Sequence, residues 1–282
     1  MNFYIIIPAH NEEDSIALTL ESLVSQSHLP KRIVVVNDNS TDNTEHIVQK
    51  FTETYKFISL VHTTSSNKHL PGAKIVNAFY KGFETLDDQY DVICKYDADL
   101  IFPKNYLEQL AFHFNKNKNI GMAAGLCYIK KNEAWILENL TRKDHIRGAL
   151  KAYRKQCFLD IGLLKLSMGW DTVDELLAKY YDWDILIDDS LKVNHLKPTG
   201  INYNTSSKYL QGEALYKMRY GFMITLITAL KMALKKRNLR VLINYMKGYY
   251  KAKNSNTTFI VTMDEGKFIR NLRWNGILTK LK

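Results

Sequence analysis

Short apolar runs alternate with amphipathic stretches along the first part of the chain. Residues 3–7 are aromatic and β-branched, are closed by Pro8, and read as a buried strand. Asp14 or Ser15 then opens a helix that places Ile16, Leu20, Leu23 and Val24 on one side, with Pro30 after its end. Residues 32–36 form a second buried strand, which stops at the turn and cap residues Asn37-Asp38-Asn39-Ser40-Thr41-Asp42. Thr41 or Asp42 caps the next helix, with Ile47, Val48 and Phe51 inward. Residues 57–62 are a third strand. Pro71-Gly72 breaks the chain before a helix from 73 to about 86, 92–95 is a fourth strand, and 103 to about 115 is a further helix. Strands alternating with helices imply a parallel sheet with right-handed crossovers. Ligands in such sheets sit outside the carboxyl ends of the strands, where residues 8–12, Asp38, Asp97 and Asp99 all fall.

The pattern loosens afterwards. Residues 121–129 read as a strand, and 135 to about 158 as partly helical and basic, carrying Arg142, Lys143, Arg147, Lys151, Arg154 and Lys155. That segment either faces an anionic ligand or is a solvated face. Residues 210–236 hold apolar side chains on more than one helical face, followed by Lys231, Lys235, Lys236, Arg237 and Arg240. Tyr245, Tyr249 and Tyr250 lie among Lys247, Lys251 and Lys253. An apolar segment with adjoining cations and tyrosines suits the membrane interface, the favoured reading; packing on the core and a homodimer contact are the alternatives.

Length and composition narrow this picture. A chain of 282 residues with 46% hydrophobic and 24% charged residues fits one large domain, or a core with a C-terminal appendage. Cys94, Cys127 and Cys157 lack metal-like spacing and cannot all pair, which favours a reducing, cytoplasmic compartment. The N-terminus shows no basic leader, and no stretch is long and uncharged enough to span a bilayer. The net charge of +10 calls for an anionic partner, either a phosphorylated substrate or a membrane surface. No nucleic-acid motif is present, so nucleic acid is not an expected partner.

The chemistry concentrates at Tyr96-Asp97-Ala98-Asp99-Leu100. Two carboxylates one residue apart raise each other's pKa unless a cation lies between them. Mg²⁺ or a similar hard cation removes that cost and takes one or two carboxylates plus substrate phosphates. A polar turn closing a strand is the plainer alternative.

The series Ile5-Ile6-Ile7-Pro8-Ala9-His10-Asn11-Glu12, then Ile33-Val34-Val35-Val36-Asn37-Asp38-Asn39-Ser40-Thr41-Asp42, then Asp97-Ala98-Asp99 resembles the family-2 glycosyltransferases of the bacterial cell-surface polysaccharide type. Those are inverting, nucleotide-sugar-dependent enzymes, and the resemblance covers roughly residues 3–200. It implies an α/β GT-A (nucleotide-diphospho-sugar transferase) fold: a mostly parallel central sheet flanked by helices, with a helical C-terminal extension. The catalytic domain would be 1–205, with a nucleotide-binding half at about 1–100 and an acceptor half at about 101–205, and the basic helical extension 206–282.

The resemblance also implies roles. Asp38 would accept from the nucleotide base, with Pro8, Ala9, Asn11 and Glu12 lining the same pocket; by itself Asp38 reads as a turn or cap residue. Asp97 and Asp99 would be the pair that binds Mg²⁺ or Mn²⁺, Asp99 contacting the metal most directly and Asp97 reaching the ribose or the metal through water. Lys74 would lie near the nucleotide, unless it is an exposed helix lysine. His195 would be a third metal ligand or a diphosphate contact. The general base would come from Met168-Gly169-Trp170-Asp171-Thr172-Val173-Asp174-Glu175. The adjacent acidic pair points to Asp174 or Glu175, while the spacing to Asp182-Trp183, where the family often has Gly-aromatic, favours Asp171. Thr172 and Glu175 also fit a capping box, which leaves Asp171 and Asp174 open. Trp170 would form part of the acceptor wall together with Glu175, or else a core position.

The expected activity is transfer of a sugar from a nucleotide-diphosphate donor, UDP favoured, to a hydroxyl of a glycan or lipid-linked saccharide. The expected place is the cytoplasmic face of the cell membrane, with a peripheral contact. A non-catalytic nucleotide-sugar-binding or assembly protein that retains the fold is the alternative.

Overall fold

In the computed structural model, which describes residues 1–65, 72–138, 145–197 and 208–279, the apolar runs become the middle of one sheet. Strands β1 (Phe3–Ala9), β2 (Arg32–Asp38), β3 (Ile58–Thr63) and β4 (Val92–Tyr96) lie parallel in the order β3-β2-β1-β4. The middles of β1, β2 and β4 are buried on both faces, as a sheet covered by helices requires. Helices α1 (Ile16–Val24), α2 (Thr44–Thr54) and α3 (Ala73–Phe83) make the crossovers.

Both β1 and β2 run two residues past their apolar cores, so Pro8 and Asp38 belong to strand ends rather than to turns. Helix α2 begins later than the sequence suggests. Asn43 takes the N-cap position, and the Asp42 carboxylate accepts from the Thr44 backbone N–H and hydroxyl at 3.0 and 2.6 Å.

Next come β5 (Leu100–Ile101), α4 (Tyr106–Lys116), β6 (Ile120–Lys131), β7 (Ala134–Leu137), β8 (Leu150–Arg154), α5 (Lys155–Asp160), α6 (Trp170–Tyr180) and β9 (Asp184–His195). They extend the sheet past β4 in the order β8-β6-β9-β5, with β7 paired to β6. Strand β8 is antiparallel to both β4 and β6, while β9 runs parallel to β6, so the sheet is mixed.

The expected partly helical, basic segment is corrected here: among its described residues only α5 is helical, and β7 and β8 are strands. Strand β8 lies between β4 and β6, so Leu150, Lys151, Ala152 and Tyr153 are all buried and the alternation that marks a half-exposed strand is lost. Lys151 is therefore no part of a solvated face; Arg142 and Lys143 lie outside the described residues.

Helices α7 (Leu210–Lys217), α8 (Gly221–Lys235), α9 (Leu239–Asn254) and α10 (Met263–Leu278) follow. Helices α7 and α9 cross closely at Gly212 and Gly248, where an added Cβ would collide with the carbonyl oxygens of Tyr245 and Tyr209. Leu215, Met218, Ile224, Val261 and Ile269 join the main core, so the inner side of this helical group packs on the sheet domain. No helix among the described residues is long and apolar enough to cross a membrane.

Candidate functional site

The carboxyl ends of β1, β2 and β4 open onto a cavity of about 310 Å³. Pro8, Ala9, Glu12, Asp38, Lys74, Asp97 and Asp99 line it, as do His10 and Ser65. Asp38 Oδ1 accepts the Ser65 N–H at 2.8 Å, and His10 Nδ1 lies 2.7 Å from the Asp38 carbonyl oxygen.

Asn11, expected in this lining, is instead a loop staple. It sits in a left-handed backbone conformation (φ 54°) and its Oδ1 accepts the Thr41 N–H at 2.8 Å. Glu12 lines the cavity, but its carboxylate is tied to Ser15 Oγ at 2.7 Å and to Lys197 Nζ at 2.6 Å.

The Asp97/Asp99 pair is balanced by two cations brought by the fold. Lys95, buried two residues earlier on β4, donates to the Asp97 carboxylate and to the Gly148 carbonyl. His195 closes β9, pairs with Leu100 across the sheet edge, and sets its Nε2 3.3 Å from Asp99 Oδ2. Its Nδ1 lies 3.1 Å from Glu138 Oε2, and Arg147 reaches the same oxygen at 3.2 Å. Burial pulls His195 down, but its hydrogen bonds to Asp99 and Glu138 outweigh that and push it up to about 9.

One donor atom each from Asp97, Asp99 and His195 falls within 4.8 Å of the others. Two carboxylates and an imidazole suit Mg²⁺ or Mn²⁺. The Glu138–His195 contact is the arrangement that orients a metal-ligating imidazole and fixes its tautomer. A cation here would replace the His195 proton. Cys127, Glu138 and His195 also cluster within 4.8 Å, but burial pushes the Cys127 thiol up, so it stays protonated and a poor ligand.

The acidic stretch lies on α6, whose N-cap is Gly169 at φ 75°. Trp170 is buried, with the Lys95 ammonium 5.5 Å from its ring centroid, and so occupies a core position. The side chain of Asp171 is 34% exposed. His145 Nε2 lies 3.9 Å from Asp171 Oδ2, and a Cβ placed on Gly148 would be 3.2 Å from the same oxygen. Because Lys95 bonds both Asp97 and Gly148, Asp171 stands one layer of contacts from the Asp pair.

Asp174 and Glu175 are enclosed around Lys151. Asp174 Oδ2 accepts from the Tyr153 hydroxyl at 2.6 Å and lies 3.1 Å from Lys151 Nζ. Glu175 accepts from Lys151 at 2.9 Å and from the Ile146 N–H at 2.8 Å, with His145 Nδ1 at 3.0 Å from its other oxygen. The capping box is thereby corrected: Thr172 is inside the helix, and Glu175 reaches across to β8 and residues 145–146.

Burial raises the Asp174 carboxyl to about 6, Lys151 opposing and Glu175 adding to the rise. Glu175 suffers the same desolvation, but Lys151 and His145 outweigh it and hold its carboxyl below the usual value. Two carboxylates sharing one ammonium are pushed apart in this way. Asp182 adopts φ 60°, a backbone that glycine favours, as the spacing from Asp171 suggests.

Sequence reasoning missed Lys95, Glu138, His145, Lys151 and Lys197. Lys95 was findable, since residues two apart on a strand share a face. The others depend on pairings between distant segments.

The fold is an α/β sheet flanked by helices, with a polar cavity at the carboxyl ends of its parallel strands. The chain belongs to the family described as Glycosyl transferase family 2, whose pattern matches residues 4–162. It is similar to the probable glycosyltransferase YdaM of Bacillus subtilis (strain 168), 38% identical over 123 residues that cover 43% of this chain and 28% of YdaM. Its fold is that of Staphylococcus aureus TarS 1-349, solved with UDP-GlcNAc (TM-score 0.57, 19% identity, 95% of this chain and 78% of that one). The mannosyltransferase PcManGT from Pyrobaculum calidifontis, solved with GDP-Man and Mn2+, shares it too (TM-score 0.57, 14% identity, 100% and 81% covered). The chain spans less than two thirds of the length of the curated relatives it matches first.

Proposed function

We propose that the protein is an inverting glycosyltransferase that moves a sugar from a nucleotide-diphosphate donor, UDP favoured, to a hydroxyl of a glycan or lipid-linked saccharide. The observation that carries this reading is one cavity lined by Asp38 after β2 and by Asp97 and Asp99 after β4, with His195 at the end of β9 within ligand distance of the Asp pair. The bound ligands of TarS and PcManGT, UDP-GlcNAc and GDP-Man with Mn2+, support a donor of this kind.

In this reading Asp38 accepts the imide N–H of uracil through the carboxylate that Ser65 orients. Pro8 and Ala9 wall the base, and Lys74 lies beside the diphosphate. Asp97, Asp99 and His195 would hold Mg²⁺ or Mn²⁺, with Glu138 orienting His195. Such a cation would supply positive charge for the departing diphosphate.

Asp171 is the general base. It removes the acceptor hydroxyl proton while that oxygen attacks the sugar carbon opposite the leaving group. Its partial exposure distinguishes it from Asp174, whose carboxylate is consumed by Tyr153 and Lys151. Residues 1–205 form the catalytic unit and 206–282 an extension packed upon it. Three buried, unpaired thiols suit a cytoplasmic setting.

The test is calorimetric titration with UDP, GDP and dTDP, each with and without Mn²⁺. Metal-dependent binding of one nucleotide is expected. No binding by folded protein with metal present would overturn the donor site.

A further inference from the structure

The outer side of the C-terminal helices has no role in the site described. On α8, Met223, Leu230 and Leu234 recur at helical spacing opposite the side that carries buried Thr225 and Ala229. On α9, Leu239, Ile243 and Tyr250 do the same opposite Gly248 and Ala252. Each helix thus has one face against the protein and a second apolar face in solvent, where Leu234 and Leu239 are 67% and 71% exposed. The two helices pack together as a hairpin. Phe222 and Tyr250 meet at one end with ring centroids 6.1 Å apart, and Leu234 and Leu239 flank the turn at the other.

Charge identifies what covers this face. Residues 221–256 contain eight Lys and Arg and no Asp or Glu. Lys235 on α8, Lys236 at its C-cap, and Arg240 and Lys247 on α9 are exposed beside the apolar stripes. A second copy of the same face would bring like charges together. An anionic bilayer matches both features, since its acyl boundary takes the apolar stripe and its headgroups take the cations.

We infer that the α8–α9 hairpin docks flat in the interface of an anionic membrane. The docking stands on this surface alone. What it would add to the proposed transfer, a lipid-linked acceptor brought to α6, rests on that reading. Helix α7 lies between them: it packs on α8 and α9, and Met218 at its end lies against Gly169, the N-cap of α6.

The experiment is co-sedimentation of the full chain with phosphatidylcholine vesicles, with and without phosphatidylglycerol, beside size measurement in solution and UDP titration. The expected result is binding to the anionic vesicles only, weakened by salt. Leu234→Glu with Leu239→Glu should abolish it. Lys235→Glu, Lys236→Glu and Arg240→Glu together should weaken it by roughly a hundredfold or more. All five side chains are exposed, so thermal unfolding should be unchanged. Absence of vesicle binding by folded protein, equal binding to neutral vesicles, or a dimer that the two leucine changes render monomeric would each overturn the inference. Vesicle binding that persists without any nucleotide binding would overturn the donor reading and leave the docking intact.

Discussion

The Lys151 ammonium donates to the main-chain carbonyl of Asp171 at 2.7 Å. It thereby joins the central strand β8 to the first turn of α6, and it holds the Asp174 and Glu175 carboxylates in the same grip. The residue that carries the proposed base is fixed by a buried cation far from it in sequence.

Lys151→Met removes that cation and leaves two carboxylates buried without it. Breaking a buried ionic cluster from one side costs about 3–5 kcal/mol. Denaturant unfolding at neutral pH should show a loss of this size, and an unchanged midpoint would contradict the account.

Asp174→Asn should change how stability varies with pH. The folded carboxyl sits at about 6, above its ordinary value of 3.8. The stability contributed by this group is therefore fully present below its unfolded pKa and is lost as pH rises through about 6. The variant lacks this loss, so it should gain stability relative to the wild type as pH rises from acid to neutral. Parallel stability curves for the two proteins would refute the assignment.

Asp171→Asn tests the proposed base. Transfer should fall by roughly 10²–10⁴-fold, the usual contribution of a positioned acid or base, with nucleotide affinity unchanged. Retained transfer in this variant, with loss in Asp174→Asn, would reverse the roles assigned to the two carboxylates.

Glu138→Gln addresses the metal site from behind. The change keeps the size of the side chain but weakens the hold on His195 Nδ1. Affinity for Mn²⁺ in the presence of nucleotide should fall by roughly 10–100-fold. A titration that follows Mn²⁺ directly reads this without relying on turnover, and equal affinities would remove Glu138 from the site.

The nucleotide half was largely legible because its elements announce themselves locally. The runs at Ile5, Ile33 and Ile93 are continuous apolar strands, and each is followed by the polar residue that lines the cavity. The acceptor half was not. Strand β8 carries Lys151 in a run buried on both faces, so its composition imitated a basic helical face. The family resemblance implies a place in the pocket lining for Asn11, as part of the segment from Pro8 to Glu12. The left-handed backbone of Asn11 turns its side chain to Thr41 instead.

The sequence by itself determined the parallel order of strands and helices and put Asp38, Asp97 and Asp99 at strand ends, since periodicity and turn chemistry act over a few residues. Only the tertiary structure decided that His195 meets Asp99, and that Asp171 is partly exposed while Asp174 is enclosed. Those outcomes depend on strand pairings between residues far apart in the chain, and on how α6 is rotated about its own axis against β8. No local pattern encodes that rotation. The buried cation Lys151 sets it, by drawing the carboxylates of Asp174 and Glu175 and the carbonyl of Asp171 to one point.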